Sequence, residues 1–266
     1  MITYLLLFAT LVVAQSESST SPTQQYSLRQ LVAFSQERDR DGDVWFRLAE
    51  AYLAADSLDQ ATDAAKKAIR YEDSARSLDL MGRILSTKKA WRRNAPPYFR
   101  KAFGKDPSFV DAVYHLAQYH HQLGEEDEER FLREAIETDP SYAIAYLDLG
   151  RFLFDRGDNE EARKAFQGYA DLKPRSPDGY YGLAVLATER WDYEEALKLG
   201  RKMLSVADER AGGYAMVGQA LAARGEHDEA ADMFALYLWM ISDEERALYE
   251  DLSSIASKDE LQEFAT

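Results

Sequence analysis

The 266-residue chain contains no cysteine. It therefore forms no disulfide bond, has no thiol nucleophile and lacks the N-terminal cysteine through which a lipoprotein would be lipid-anchored. The formal net charge is −15. A surface that binds nucleic acid must neutralise phosphates and should be basic, so this charge disfavours nucleic acid as a partner.

The sequence motifs of common enzymes are also missing. There is no glycine-rich phosphate loop and no His-Glu-x-x-His pair. His115, His120 and His121 fall on one predicted helix, but metal ligands on a helix are expected three or four residues apart, and these are adjacent or five and six apart. We therefore expect no enzymatic activity, no cofactor and no metal site.

No apolar run is long enough to span a bilayer comfortably. Leu5 to Ala14 is an apolar run of about ten residues, whereas a membrane helix needs about 20. A polar stretch follows, and Val12-Val13-Ala14 provides the small residues that a signal peptidase reads. We predict a signal peptide over residues 1–14 and a flexible leader over 15–26, with a periplasmic or secreted location in the bacterial cell envelope. The first basic side chain is Arg29, which argues against a signal peptide, and an uncleaved N-terminal anchor is the alternative.

The most informative feature is an internal repeat. Two series of residues recur with a spacing of 34: Tyr146, Tyr180 and Tyr214, and Ala162, Ala196 and Ala230. A fixed period of this length indicates one supersecondary unit that is copied and stacked on a shared core. Apolar residues recur at helical spacing with no sustained alternation, so we predict an all-α chain.

The best copy of the unit shows what the unit is. Its key residues are Tyr146, Leu149, Gly150, Leu153, Ala162, Phe166 and Pro174. Gly150 lets a second helix approach the first closely, and Ala162 and Phe166 face back from that second helix. This pattern resembles the tetratricopeptide repeat. The resemblance implies a right-handed superhelical solenoid of about six helical hairpins with terminal capping helices.

The repeat extends over residues 43 to 242, and we interpret it as one continuous structural domain. The predicted segments are an N-terminal capping helix in 27–42, repeats at 43–75, 76–109, 110–142, 143–176, 177–210 and 211–242, and a C-terminal capping helix and tail in 243–266. The second and third repeats are irregular. Asp79 replaces the aromatic residue, Gly82 sits one place early, Pro96-Pro97 are expected to begin a helix, and Glu128 occupies the close-packing position of Ala162.

The family resemblance also implies a binding surface. In tetratricopeptide proteins the first helices of successive hairpins line a concave groove that binds peptides or proteins. Carried over by position, the lining comprises Tyr114, His115, Gln118, His121, Leu147, Asp148, Arg151, Phe154, Tyr181, Val185 and Thr188. This set lacks the Lys, Asn and Arg residues of the family's clamp for carboxylate-ended tails. The leading hypothesis is thus a non-enzymatic scaffold in the cell envelope with a protein or peptide partner.

Two alternatives remain open. Lys88, Lys89, Trp91, Arg92 and Arg93 place four positive charges around one aromatic ring, where an anionic partner or membrane headgroups could bind. The segment 249–257 resembles the junction that follows the repeats of bacterial GWxTD-domain proteins, although the motif itself is absent. That resemblance implies the repeat portion of a larger protein, with a targeting or regulatory role.

Overall fold

The structure, a computed structural model, describes residues 26–124, 127–207 and 211–250, with side chains up to residue 246. Within these ranges it contains fourteen α-helices and no β-strand. The helices are α1 Leu28–Glu37, α2 Gly42–Ala54, α3 Leu58–Tyr71, α4 Ala75–Thr87, α5 Pro96–Lys105, α6 Val110–His121, α7 Asp127–Thr138, α8 Ala143–Asp155, α9 Asn159–Leu172, α10 Asp178–Glu189, α11 Tyr193–Val206, α12 Ala211–Ala223, α13 His227–Met240 and α14 Asp243–Glu250. The predicted signal peptide, most of the leader and the end of the C-terminal tail lie outside the described residues.

Twelve of these helices pack as six successive pairs: α2 with α3, α4 with α5, α6 with α7, α8 with α9, α10 with α11 and α12 with α13. The all-α fold of about six helical hairpins is therefore confirmed. The chain divides into two compact units, one up to Glu72 and one from Asp73 onward. In the first, α1 packs on α2; in the second, each hairpin packs on the next. The prediction of one continuous domain stays a prediction.

Helix starts follow from the local sequence. Ser27 and Gln30 form a reciprocal capping box at α1, with the Ser27 amide 2.9 Å from the Gln30 Oε1. At α2, the Asp41 carboxylate accepts hydrogen bonds from the amides of Asp43 and Val44. The fifth helix begins at Pro96, as predicted from the two prolines, because proline suits the first turn, where no amide partner is needed.

In three hairpins the recurring aromatic residue ties the first helix to the segment before it. Trp45 donates its Nε1 hydrogen to the Asp39 carbonyl at 2.7 Å. Tyr146 and Tyr180 donate their hydroxyl hydrogens to the carbonyls of Pro140 and Pro174, both at 3.2 Å. In all three cases the acceptor lies six residues earlier, so the 34-residue period reproduces one hydrogen bond from hairpin to hairpin.

The contact between hairpins depends on a phenylalanine ring held between two glycines. A Cβ atom added at Gly150 would lie 2.6 Å from Phe166 Cδ1, and one added at Gly182 would lie at the same distance from that atom. Real Cβ atoms do not come this close, so both positions need glycine. Phe166 itself is 4% exposed. Similar glycine-to-ring contacts join Gly82 to Phe99 and Gly218 to Phe234.

The turn inside a hairpin contains one residue with left-handed backbone. Five hairpins have it at the equivalent position: Asp56, Gly124, Gly157, Trp191 and Gly225. Glycine is favoured there because a Cβ atom clashes in this region of backbone space. Two of these five are not glycine: Asp56, with φ of 51°, and Trp191, with φ of 62°.

We expect Gly150→Ala and Gly182→Ala each to lower the free energy of unfolding by about 1–3 kcal/mol, because the added methyl group overpacks the Phe166 ring. Urea denaturation followed by circular dichroism measures this. Gly104→Ala is the matched control: nothing lies within 4 Å of a Cβ atom there, and the position is helical. The free energy of unfolding of that variant should rise by about 0.5–1 kcal/mol. Equal effects at the three positions would contradict the packing argument.

Candidate protein-interaction surface

A hydrogen bond from α4 to α6 forms where the second repeat departs from the pattern. Asp79 stands in the aromatic position and is only 3% exposed. Its Oδ1 lies 2.7 Å from His115 Nδ1, and the His115 ring lies 5.5 Å from the Phe99 ring. A carboxylate buried this deeply needs such a partner. His115 therefore compensates for the substitution, and sequence analysis did not foresee this pair.

A second group of hydrogen bonds joins α6 to α8. The Tyr114 hydroxyl donates to Asp148 Oδ2 at 2.7 Å, and Gln118 Nε2 donates to the Tyr114 oxygen at 3.0 Å. Arg151 Nη1 donates to Asp148 Oδ1 at 3.1 Å. Burial raises the pKa of Asp148, while the Tyr114 hydrogen bond and the Arg151 charge oppose that rise. Burial also raises the pKa of the Tyr114 phenol.

These six side chains, which we call the first-helix row, all lie on the first helices of the second, third and fourth hairpins. They are Asp79, Tyr114, His115, Gln118, Asp148 and Arg151. Tyr114 is 8% exposed, so its ring is mainly core, whereas its hydroxyl group belongs to the row. A neighbouring hydrogen bond, from the Tyr142 hydroxyl to Asp111 Oδ1 at 2.7 Å, joins the start of α8 to the start of α6. Sequence analysis missed Tyr142 and Asp111.

The other predicted groove residues have mixed positions. Leu147 is 3% exposed and belongs to the hydrophobic core, so its assignment to the binding surface is wrong. It lies one residue from Asp148, about 100° around the helix, and that rotation turns its side chain inward. Phe154, Tyr181, Val185 and Thr188 are half-buried and accessible in part. Thr188 donates its hydroxyl hydrogen to the Ala184 carbonyl at 2.9 Å.

Glu128 is buried at the close-packing position, as predicted from the repeat frame, and is 7% exposed. His121 Nδ1 lies 3.0 Å from both carboxylate oxygens of Glu128, and the His121 side chain is 73% exposed. Burial raises the pKa of Glu128, the His121 charge opposes this, and Asp148 and Asp155 add to it. In the third hairpin too, a histidine of α6 therefore pairs with the buried carboxylate that departs from the repeat pattern.

The basic loop between α4 and α5 is partly engaged with its own chain. The Lys88 ammonium group lies 4.1 Å from the centre of the half-buried Trp91 ring. Arg92 Nε donates to the Ser86 carbonyl at 3.3 Å. Lys89 and Arg93 are exposed. Two of the four cations therefore already have contacts within the chain, and a partner would have to compete with these contacts.

Among residues 26–124, 127–207 and 211–250, no three or more Asp, Glu or His side chains are grouped so that they could hold a metal ion. None of the helices in these ranges is long and apolar enough to cross a membrane.

Comparison with known proteins identifies the repeat. A sequence model of the tetratricopeptide repeat family matches residues 92–143, 128–177 and 147–215. Residues 92–215 belong to the tetratricopeptide repeat family. Proteins of this family are in general non-enzymatic scaffolds that bind protein or peptide partners. No curated protein sequence matches the chain.

Several solved structures share its fold. MamA is 24% identical, with 65% of this chain and 96% of MamA covered and a TM-score of 0.53. PilF of Pseudomonas aeruginosa is 18% identical, with 80% and 98% covered and a TM-score of 0.64. PilW, described as a widely conserved type IV pilus biogenesis factor, is 18% identical, with 78% and 98% covered and a TM-score of 0.62. At these identities the likeness shows only that the chains share a fold.

We expect the stability difference between Glu128→Gln and the parent chain to depend on pH. The pKa of Glu128 is raised in the folded state, so above about pH 4.5 the folded chain binds more protons than the unfolded chain. The free energy of unfolding therefore falls as the pH rises above this value. Glutamine removes this dependence, so the free energy of unfolding of the variant should rise relative to that of the parent as the pH is raised above about 4.5. Urea denaturation at several pH values measures the difference.

The control for this experiment repeats both measurements in a His121→Ala background, because His121 contributes its own charge to the pair. Burial of Glu128 should still produce the pH dependence there. If the difference in the free energy of unfolding between the chains with and without Glu128→Gln stays constant with pH in the His121→Ala background, burial does not raise the pKa of Glu128.

Proposed function

We propose that this tetratricopeptide chain is a non-enzymatic scaffold that binds a protein or peptide partner on its first helices, in the concave groove expected of the family. The first-helix row carries the proposal. Its hydrogen bonds join Asp79 to His115 and Tyr114 to Asp148, so the donors and acceptors are fixed before a partner arrives. Binding then costs less side-chain entropy than it would on a mobile surface.

The accessible residues around the row suit a polypeptide. Phe154 and Tyr181 are half-buried aromatics on the neighbouring helices α8 and α10, Arg151 is half-buried and Gln118 is exposed. Aromatic and arginine side chains supply much of the binding energy at protein interfaces. Within the row the Arg151 cation is paired with the Asp148 carboxylate, so the surface favours a mixed peptide rather than a strongly charged one.

A capture experiment tests whether the chain binds a partner on this surface. The chain from residue 15 to 266, immobilised and incubated with an envelope extract, should retain a partner that is lost when Phe154 and Tyr181 are both changed to Ala. Tyr114 is left unchanged because it is buried and its loss would disturb the fold. Tyr71→Ala, an exposed tyrosine on α3, is the control and should keep the partner. Equal capture by all three proteins would reject the first-helix surface.

We further propose that the scaffold is exported to the bacterial cell envelope. The apolar run Leu5–Ala14 and the small residues before the polar stretch support this, and the fold it shares with PilW, a pilus biogenesis factor, is compatible with it.

Fusing residues 1–26 to alkaline phosphatase, which is active only after export, tests the location. The fusion should be active, and mass spectrometry of the mature product should place its first residue near Gln15. A matched fusion with Leu6→Arg and Val12→Arg should be inactive, since charge in the apolar run blocks signal recognition. An active fusion that keeps residues 1–14 would support the anchored alternative, and an inactive parent fusion would reject export.

A further inference from the structure

A groove runs between the second helices α9 and α11, over the first helix α10. It consists of two adjoining cavities of about 340 and 540 Å³. Both cavities are lined by Gln167, Leu183, Glu195 and Leu199. Leu183 is 8% exposed and forms an apolar floor together with the half-buried Leu199. The groove can therefore accept an apolar side chain from a partner.

The larger cavity has a basic rim. Lys198, Arg201 and Lys202 line it from α11, against a single carboxylate, Glu195, which lies 3.2 Å from the Lys198 ammonium group. The Lys202 ammonium group lies 5.7 Å from the centre of the Tyr180 ring, which also lines the cavity. The whole chain has a net charge of −15, so this excess of cations is a local reversal. Charge complementarity favours an acidic ligand here.

The turn that leads into α11 contains an exposed aromatic residue in an unfavourable backbone conformation. Trp191 is 77% exposed and has φ of 62°, at the position where three other hairpins have glycine. Its ring meets Tyr193 edge-on at 6.1 Å. Left-handed backbone is costly for a bulky side chain, and an indole so exposed recovers little of that cost by packing. Arg190, the residue before it, lines the smaller cavity.

We propose that the groove between α9 and α11, together with Trp191 at its turn, is a second docking surface, and that it binds an acidic polypeptide segment carrying aliphatic side chains. The basic rim pairs with the acidic residues, and Leu183 and Leu199 receive the aliphatic ones. The tryptophan provides a large, rigid contact of the type that dominates interfaces. This surface is separate from the first-helix row and does not depend on the function proposed above.

Other anionic ligands fit the groove less well. Nucleic acid would need a longer series of phosphate contacts than the three cations of the basic rim can make, since one of them, Lys198, is already paired with Glu195. A membrane of anionic lipid would be repelled by the acidic remainder of the chain, and it could not place an apolar side chain on the recessed floor. The acidic peptide is therefore the occupant that matches both the rim and the floor.

The test uses the chain without residues 1–14 and a fluorescein-labelled synthetic peptide of repeated Glu-Glu-Leu-Leu units. Fluorescence anisotropy should show saturable binding that weakens as salt is raised. The triple variant Lys198→Gln, Arg201→Gln, Lys202→Gln should bind about tenfold more weakly or worse. Lys66→Gln, Lys67→Gln, Arg70→Gln on α3, whose residues do not line the groove, makes the same change in net charge and should bind like the parent.

Three results would overturn the proposal: equal loss in both triple variants, equal binding of a Lys-Lys-Leu-Leu peptide, or binding to phosphatidylglycerol vesicles without binding to the acidic peptide. The first would indicate long-range charge attraction alone. The second would show that the basic rim does not select the ligand, and the third would assign the surface to lipid.

Trp191→Gly separates a binding role from a structural one. The variant should unfold at the same or a higher urea concentration than the parent, because glycine relieves the left-handed backbone and little packing is lost. It should nevertheless bind the acidic peptide about tenfold more weakly. Unchanged peptide binding, or a lower unfolding midpoint that accounts for weaker binding, would overturn the role assigned to Trp191.

Discussion

The packing of Phe166 between Gly150 and Gly182 is the contact on which the rest of the second unit depends. One ring from a second helix contacts the first helix of its own hairpin and the first helix of the next. Because neither glycine position leaves room for a Cβ atom, the three helices are held at a fixed close distance. Gly82 with Phe99 and Gly218 with Phe234 make the corresponding contact within their own hairpins. The spacing of the first helices, and with it any surface they form, follows from these rings.

The irregular repeats show how such an array tolerates polar residues in its core. Asp79 and Glu128 occupy positions that other repeats give to an aromatic and an alanine, and both are almost fully buried. Each is paired with a histidine of α6, His115 in one case and His121 in the other. A buried carboxylate without a partner would destabilise the fold, so the substitution and its histidine have to be understood together. The same pairs place polar side chains on the first helices, where the proposed partner binds.

The two proposed surfaces differ in how they are built. The first-helix row is held in place by hydrogen bonds between hairpins, such as Tyr114 to Asp148, and its Arg151 is paired with Asp148. The groove between α9 and α11 has an apolar floor and a basic rim, and the adjacent turn carries Trp191 in a backbone conformation that favours glycine. A chain with two such surfaces could hold two different partners at once, which is the property expected of a scaffold.

The sequence by itself determined the repeat, the pairing of helices into hairpins, the close approach at Gly150 and the buried position of Glu128. These follow from a 34-residue period and from residue size, both of which can be read along the chain. The tertiary structure decided that Asp79 meets His115, that Tyr142 meets Asp111, that Leu147 faces the core and that Trp191 has left-handed backbone. Neighbouring residues on a helix point about 100° apart, so a repeat frame uncertain by one position cannot tell a surface residue from a core residue. Contacts between side chains of different hairpins depend on that rotation, and only the packed helices fix it.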